Sequence, residues 1–171
     1  VGGFEKVFEI ARVFRNEGTS NRRNPEFTML EAYEAYGDYH VHMELVEQLV
    51  SHLASQICGS TTVTFDGRDV DLSTPWRRAT MAELTSEQIG EAVDMDTPVS
   101  RLRELCDRHE VPFKDSYGPG KLLLELYEKT TEHTLWDPTF VIDYPTEVSP
   151  LAREHRSRAG LTERFEAIVV G

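Results

Sequence analysis

The chain has 171 residues, 28% of them charged and 39% hydrophobic, which is typical of a globular protein with one hydrophobic core. Its formal net charge of −12 excludes a broad basic face for nucleic acid, although arginines cluster locally at positions 12, 15, 22 and 23. No apolar run reaches the roughly 18 residues that a membrane helix needs, so we expect no membrane partner.

The cysteines and the ends of the chain add two expectations. Cys58 and Cys106 stand far apart without a CxxC pair, which predicts reduced, buried thiols and a cytoplasmic location. The chain starts at Val1 in strand-like sequence and closes on strand-like 166–171, whereas a domain usually ends in exposed polar linker. We therefore expect a central piece of a longer protein.

The first part of the chain predicts two strands and a helix. Residues 4–15 are rich in β-branched and aromatic side chains and predict a strand. Residues 27–36 are ambiguous between helix and strand, and we assign a strand because the preceding strand needs a partner. Apolar residues at i+4 steps from Val41 to Ile57 then predict a helix over 40–57.

A hairpin and a helical stretch come next. The pair Asp66-Gly67 is typical of a turn between short strands, here 61–65 and 68–72. Thr80–Glu83 reads as a capping box that opens one helix, and Thr97-Pro98 marks the start of another.

A third helix is predicted over about 120–134, after Gly118-Pro-Gly-Lys121. That tetrapeptide lacks the leading Gly and the following Ser or Thr of a phosphate-binding loop, so we interpret it as structural. Residues 140–144 and 164–170 return to strand. The expected divisions are a core sheet with the first helix and hairpin (1–77), a helical insertion (78–135) and returning core strands (136–171).

The connection between the first two strands is unusually long. Twelve polar residues, 15–26, join them, whereas two to five suffice for most hairpins. Because successive strand residues point to opposite faces, Arg15 and Glu17 share a face of the first strand, and Phe27, Glu31 and Tyr33 share a face of the second.

Two interpretations of this polar face are open. It is either a solvated ladder of ion pairs or a ligand-binding surface. The alternation with aromatic residues favours a ligand, since Phe27 would stack on a flat base while Arg15 holds an anionic oxygen. Glu31 and Tyr33 would suit an ammonium group, and the long loop would then fold over the bound molecule.

These residues resemble a known family. FRNE at 14–17 and RNPEFTMLE at 23–31 match motif 2 of the class II aminoacyl-tRNA synthetases at every anchor position. Within that class the chain resembles the lysyl-tRNA synthetases, in NPEFTMLEAYEAYGDYH, in GGFEKVFEI at the start and in FVIDYPTEVSPLA at 140–152. The resemblance implies the catalytic fold of that class, which is α+β with an antiparallel β-sheet flanked by helices, and a helical insertion.

The resemblance also implies roles for individual residues. Arg15 would contact the α-phosphate of ATP as the catalytic residue, and Phe27 would stack on adenine. Glu31 and Tyr33 would recognise the ε-ammonium of lysine. The remaining expected ATP-binding residues lie in and beside the loop: Glu17, Arg22, Arg23 and Asn24.

The implied reaction is ATP-dependent activation of L-lysine to lysyl-adenylate, followed by transfer to tRNA(Lys), in a homodimeric protein. Positioning and charge stabilisation by Arg and Mg²⁺ would supply most of the catalysis. Motifs 1 and 3 are absent from the sequence, so we expect the Mg²⁺ ligands mostly beyond Gly171, no metal site in this chain, and little activity from the chain alone.

Two alternatives keep the same pocket. The chain could belong to a paralogue that lysylates a protein or a lipid-linked acceptor, or to a non-catalytic module that binds lysine and ATP. Aspartyl or asparaginyl specificity fits less well, because Glu31 with Tyr33 suits a cation. The basic segment 153–158 (REHRSR) would face either tRNA or solvent, and we favour solvent.

Overall fold

A computed structural model describes residues 2–16, 18 and 24–171 of the chain. It contains two compact units, Val1–Asp38 and Tyr39–Gly171. The strands are β1 (Lys6–Phe14), β2 (Glu26–Glu34), β3 (Thr62–Phe65), β4 (Arg68–Asp71), β5 (Arg77–Thr80), β6 (Thr139–Ile142) and β7 (Phe165–Ile168). The helices are α1 (Tyr39–Cys58), α2 (Met81–Ile89), α3 (Val99–Arg108) and α4 (Pro119–Thr130).

The first unit is built on the hairpin of β1 and β2. The two strands pair antiparallel over nine residues each, from Lys6 opposite Glu34 to Phe14 opposite Glu26. The assignment of 27–36 as strand is therefore confirmed, because pairing with β1 overrides the helix propensity of its Met, Leu, Glu and Ala residues. The ladder continues one step into the loop, where the N–H of Arg15 donates to the carbonyl of Pro25 at 2.9 Å.

Helix α1 opens the second unit, and its predicted extent is confirmed to within a residue at each end. Its apolar stripe behaves differently from an ordinary core face. Residues at i+4 steps from Val41 to Ile57 stay 37–78% exposed, whereas Met43, Glu47 and Ala54 are buried. The helix therefore buries a neighbouring face that includes one carboxylate.

The short hairpin of β3 and β4 follows as predicted. Both turn residues have positive φ, 49° at Asp66 and 77° at Gly67, as a two-residue turn with the twist of the flanking strands requires. Glycine is favoured there because it adopts this conformation at no steric cost.

The main sheet corrects the expected all-antiparallel arrangement. Its order is β5-β6-β7, and β5 pairs parallel to β6 while β7 pairs antiparallel to it. Strand β5 was not predicted from the sequence. Helices α2, α3 and α4 connect β5 to β6, and a crossover of this kind returns the chain in the same direction, which makes the pair parallel. Over the residues that the structure describes, the fold is thus mixed, with three small sheets and four α-helices.

The helical stretch confirms the positions of both predicted starts, but only the first has a side-chain cap. At α2 the Thr80 hydroxyl accepts from the Glu83 N–H, and the Glu83 carboxylate accepts from the Thr80 N–H, a complete capping box. At α3 the N-cap is Pro98, without a side-chain hydrogen bond. The Thr97 hydroxyl instead accepts from the N–H of Asp94. It therefore stabilises the turn before the helix and not the helix itself.

Two clusters form the core of the second unit. The larger is made by α2, α3, α4 and one side of the sheet, with Leu102, Leu105, Leu122 and Leu126 fully buried. The smaller joins Met43 of α1 to Trp76 and Phe140, with Phe140 and Trp76 ring centroids 5.1 Å apart. Cys106 and Cys58 are both free, but only Cys106 is buried, so the expected burial of Cys58 is wrong.

Candidate functional site

The candidate site is one face of the β1–β2 hairpin. Directly opposite residues of an antiparallel pair share a face, and the register places Val13 opposite Phe27, and Glu9 opposite Glu31. Phe27, Met29, Glu31 and Tyr33 follow one another on this face by their period of two. We call it the polar face of the hairpin; it carries Glu9, Arg15, Phe27, Met29, Glu31 and Tyr33.

Arg15 and Phe27 meet at the loop end of the polar face. The Arg15 guanidinium carbon lies 5.5 Å from the centroid of the Phe27 ring, within the range of a cation–π contact. An Arg15 Nη lies 4.0 Å from the Met29 sulfur. Arg15 is exposed and pairs with no carboxylate among the described residues, so its donors other than the one that faces Met29 remain free for an anionic ligand.

Glu31 and Tyr33 form a second pair farther along the same face. The Tyr33 hydroxyl donates to a Glu31 carboxylate oxygen at 2.8 Å. This hydrogen bond and the negative charge of Glu31 raise the pKa of Tyr33, so the phenol stays protonated at neutral pH. Its hydrogen points to Glu31, which leaves the lone pairs of the phenol oxygen free to accept from a ligand N–H.

The two pairs are separated along the strand. Glu31 is four residues after Phe27, which corresponds to about 14 Å of extended chain. The arrangement can therefore bind an extended molecule that has a flat ring and an anionic group at one end and a cation at the other.

The structure brings together only part of the predicted set. Arg15, Phe27, Glu31 and Tyr33 share the polar face, and Asn24 is exposed beside it in the loop. Glu17, Arg22 and Arg23 lie outside the described residues, so their roles stay predictions. Met29 and Glu9 were not proposed as site residues, although the same period of two places them on the polar face.

Two other sequence features do not form a ligand site. Glu147 blocks the start of α4, where its carboxylate accepts from the N–H groups of Gly118 at 3.0 Å and Lys121 at 3.2 Å. The anion-binding end of this helix is thus already occupied by a carboxylate, which agrees with the structural interpretation of Gly118-Pro-Gly-Lys121.

The basic segment 153–158 is neutralised within the fold. Arg153 and Arg156 both pair with Glu163, and Arg158 pairs with the buried carboxylate of Asp143. In the described part of the chain, no group of three or more His, Cys, Asp or Glu side chains is placed to hold a metal ion. No helix there is both long and apolar enough to cross a membrane.

Comparison with protein families identifies the class of protein to which this hairpin belongs. The model of the family "tRNA synthetases class II (D, K and N)" matches residues 1–171, and the chain belongs to this family.

The most similar relatives include three proteins named lysine--tRNA ligase. The one from Synechococcus sp. (strain CC9605) is 51% identical, that from Prochlorococcus marinus (strain MIT 9303) 52% and that from Xanthomonas oryzae pv. oryzae (strain MAFF 311018) 50%. Each match covers 100% of this chain and 34% of the relative. The chain therefore spans about a third of the length of the curated relatives it matches.

Proposed function

We propose that this chain is the lysine- and ATP-binding part of a lysine–tRNA ligase. The observation that carries the proposal is the polar face of the hairpin, with Arg15 and Phe27 at one end and the Glu31–Tyr33 pair at the other. The three relatives that bear this name support it, because they match the chain along its whole length at 50–52% identity.

In the first step, a carboxylate oxygen of lysine attacks the α-phosphorus of ATP, the bond to the bridging oxygen breaks, and pyrophosphate leaves. Phe27 stacks on adenine. Arg15 donates to the α-phosphate oxygens and stabilises the negative charge that they carry in the transition state. The Phe27 ring and the Arg15 guanidinium already contact each other, so the two side chains lie side by side before the nucleotide binds.

Lysine is held at the other end of the polar face. The Glu31 carboxylate supplies a negative charge, and the Tyr33 oxygen supplies an oriented acceptor for the ε-ammonium. These contacts lie away from the reacting carboxylate, so they select the amino acid and position it. In the second step a terminal ribose hydroxyl of tRNA(Lys) attacks the carbonyl of lysyl-adenylate, and AMP leaves.

The finer expectations are proposals of the same kind. Glu17, Arg22, Arg23 and Asn24 would contact the nucleotide from the loop. Mg²⁺ would accompany ATP and neutralise its phosphates, with ligands from other parts of the polypeptide. Residues 78–135 would be a helical insertion into the catalytic core, and the whole protein would be a cytoplasmic homodimer.

The test is lysine-dependent ATP–pyrophosphate exchange by the polypeptide that carries this chain. The variant Arg15→Ala removes the proposed phosphate contact, and we expect exchange to fall at least about 100-fold, as for a lost charge-stabilising donor. Arg12→Ala is the matched control, since Arg12 lies on the opposite face and pairs with Glu26 at 3.3 Å.

Equal loss of exchange in both variants, or no loss in either, would contradict the role of Arg15. Binding of lysine and ATP without any exchange would instead identify a non-catalytic binding module.

A further inference from the structure

Glu9 places a second carboxylate beside the Glu31–Tyr33 pair. It is directly opposite Glu31 in the β1–β2 ladder, and both side chains are exposed on the polar face. Side chains in directly opposite positions have Cβ atoms about 4.5–5.5 Å apart, so the two carboxylates can reach a common atom.

Like charges in directly opposite positions destabilise a hairpin unless a cation lies between them. Neither Glu9 nor Glu31 has an ion pair within the described residues. The hairpin does pair its other glutamates, because Lys6 lies 3.0 Å from Glu34 and Arg12 lies 3.3 Å from Glu26, both on the opposite face. The unpaired acids are thus confined to the polar face.

The polar face offers no cation of its own near these acids. Arg15 is its one basic residue in the described part of the hairpin, and it lies six residues from Glu9, about 20 Å along the strand. The negative charge of Glu9 also acts on Tyr33, since it contributes to the raised pKa of the Tyr33 phenol.

We infer that Glu9 is a specificity-determining residue that supplies the third acceptor for the ε-ammonium of lysine. An ammonium group has three N–H donors, and the Glu31 carboxylate and the Tyr33 oxygen account for two. Glu9 accepts the third, and the bound cation removes the repulsion between Glu9 and Glu31. This inference rests on the proposed function, and it assigns a residue that the sequence analysis left without a role.

The contact is the same before and during the reaction, because the ammonium takes no part in bond making. Loss of such uniform binding raises KM and leaves kcat unchanged. Replacing the carboxylate by an amide keeps one neutral acceptor and removes the charge. We therefore expect Glu9→Gln to raise the KM for lysine about tenfold, within the range for a hydrogen bond to a charged group.

The experiment compares wild type, Glu9→Gln and Glu34→Gln in the polypeptide that carries this chain. Glu34→Gln is the matched control, since it removes one strand carboxylate from the opposite face. Lysine-dependent ATP–pyrophosphate exchange gives KM and kcat, and thermal unfolding with and without lysine gives the stabilisation by the ligand.

We expect Glu9→Gln to raise the KM, to raise the Tm of the ligand-free protein by removing repulsion, and to reduce the Tm increase that lysine produces. An unchanged KM, or a lower ligand-free Tm with unchanged lysine binding, would show a structural residue and overturn the inference. Wild-type polypeptide without lysine-dependent exchange would overturn the proposed function and, with it, this inference. Normal exchange by the wild type together with an unchanged KM in Glu9→Gln would overturn the inference alone.

Discussion

Glu47 allows the energetics of the second unit to be tested with one substitution. Its carboxylate is buried in α1, accepts from the backbone N–H of Trp76 at 2.9 Å and pairs with an Nη of Arg78 at 3.1 Å. One side chain thus joins α1 to the segment that leads into β5.

The cost of Glu47→Ala follows from these partners. The Trp76 N–H loses its acceptor in a buried position, which costs about 1–3 kcal/mol. Removing one member of a buried ion pair costs about 3–5 kcal/mol when the other stays buried. The Arg78 side chain is 33% exposed and regains water, so the smaller values apply. We expect a total loss of about 4 kcal/mol, and about half of that for Glu47→Gln, which keeps an acceptor for Trp76.

Urea unfolding of the 171-residue chain measures this loss of stability. The urea concentration at the unfolding midpoint falls while the m value stays constant. Glu44→Ala is the matched control, because Glu44 is exposed on the same helix, and we expect it to change stability by less than about 0.5 kcal/mol. If Glu47→Ala lies within about 1 kcal/mol of this control, the buried pair does not hold α1 in place and the argument from burial is wrong.

Three further substitutions test the second unit by thermal or urea unfolding. The Tyr127 hydroxyl is buried with no hydrogen-bond partner among the described residues, so Tyr127→Phe should leave stability unchanged or raise it by up to about 1 kcal/mol, and a larger loss would reveal a missing partner. A Cβ at Gly120 would lie 2.7 Å from Pro145 Cβ, so Gly120→Ala should cost about 1–3 kcal/mol, and wild-type stability would contradict this packing. Glu147→Ala should cost about 1–2 kcal/mol because it removes the acceptor at the start of α4, and a smaller effect than that of a surface glutamate would count against the cap.

Local sequence predicted the elements whose signals are local. Strand β1, the turn at Asp66-Gly67 and the capping box at Thr80 follow from β-branched and aromatic content, positive φ and backbone hydrogen bonding. Strand β2 was predicted only because β1 needed a partner. The shared face of Arg15 and Phe27 was predictable for the same reason, since period two and pairing across the loop determine it.

Long-range partners decided what the sequence did not predict. The strand β5 has the sequence RRAT, without an alternation of apolar residues, and it becomes a strand because β6 pairs with it after three intervening helices. Glu47 resembles an ordinary surface glutamate until Trp76 and Arg78 are placed around it. The cap that Glu147 provides for α4 likewise depends on a residue that follows the helix.

The candidate site shows the same division. The period of two along β2 groups Glu31 with Tyr33 on one face. The position of Glu9 opposite Glu31 depends on the register of β1 against β2. A shift of that register by one residue would turn Glu9 away from Glu31 and place an apolar side chain there instead.

The amino-acid selectivity of ATP–pyrophosphate exchange tests the central claim most directly, because the family as a whole includes D, K and N synthetases. The polypeptide that carries this chain should be assayed with lysine, aspartate, asparagine and norleucine, the last of which lacks the ε-ammonium. We predict exchange with lysine alone, and a fall of at least about 100-fold with norleucine, since a site built for an ammonium leaves its acceptors unpaired around a methyl group. Exchange supported by aspartate or asparagine in preference to lysine would contradict the assignment of Glu31 and Tyr33 to the ammonium.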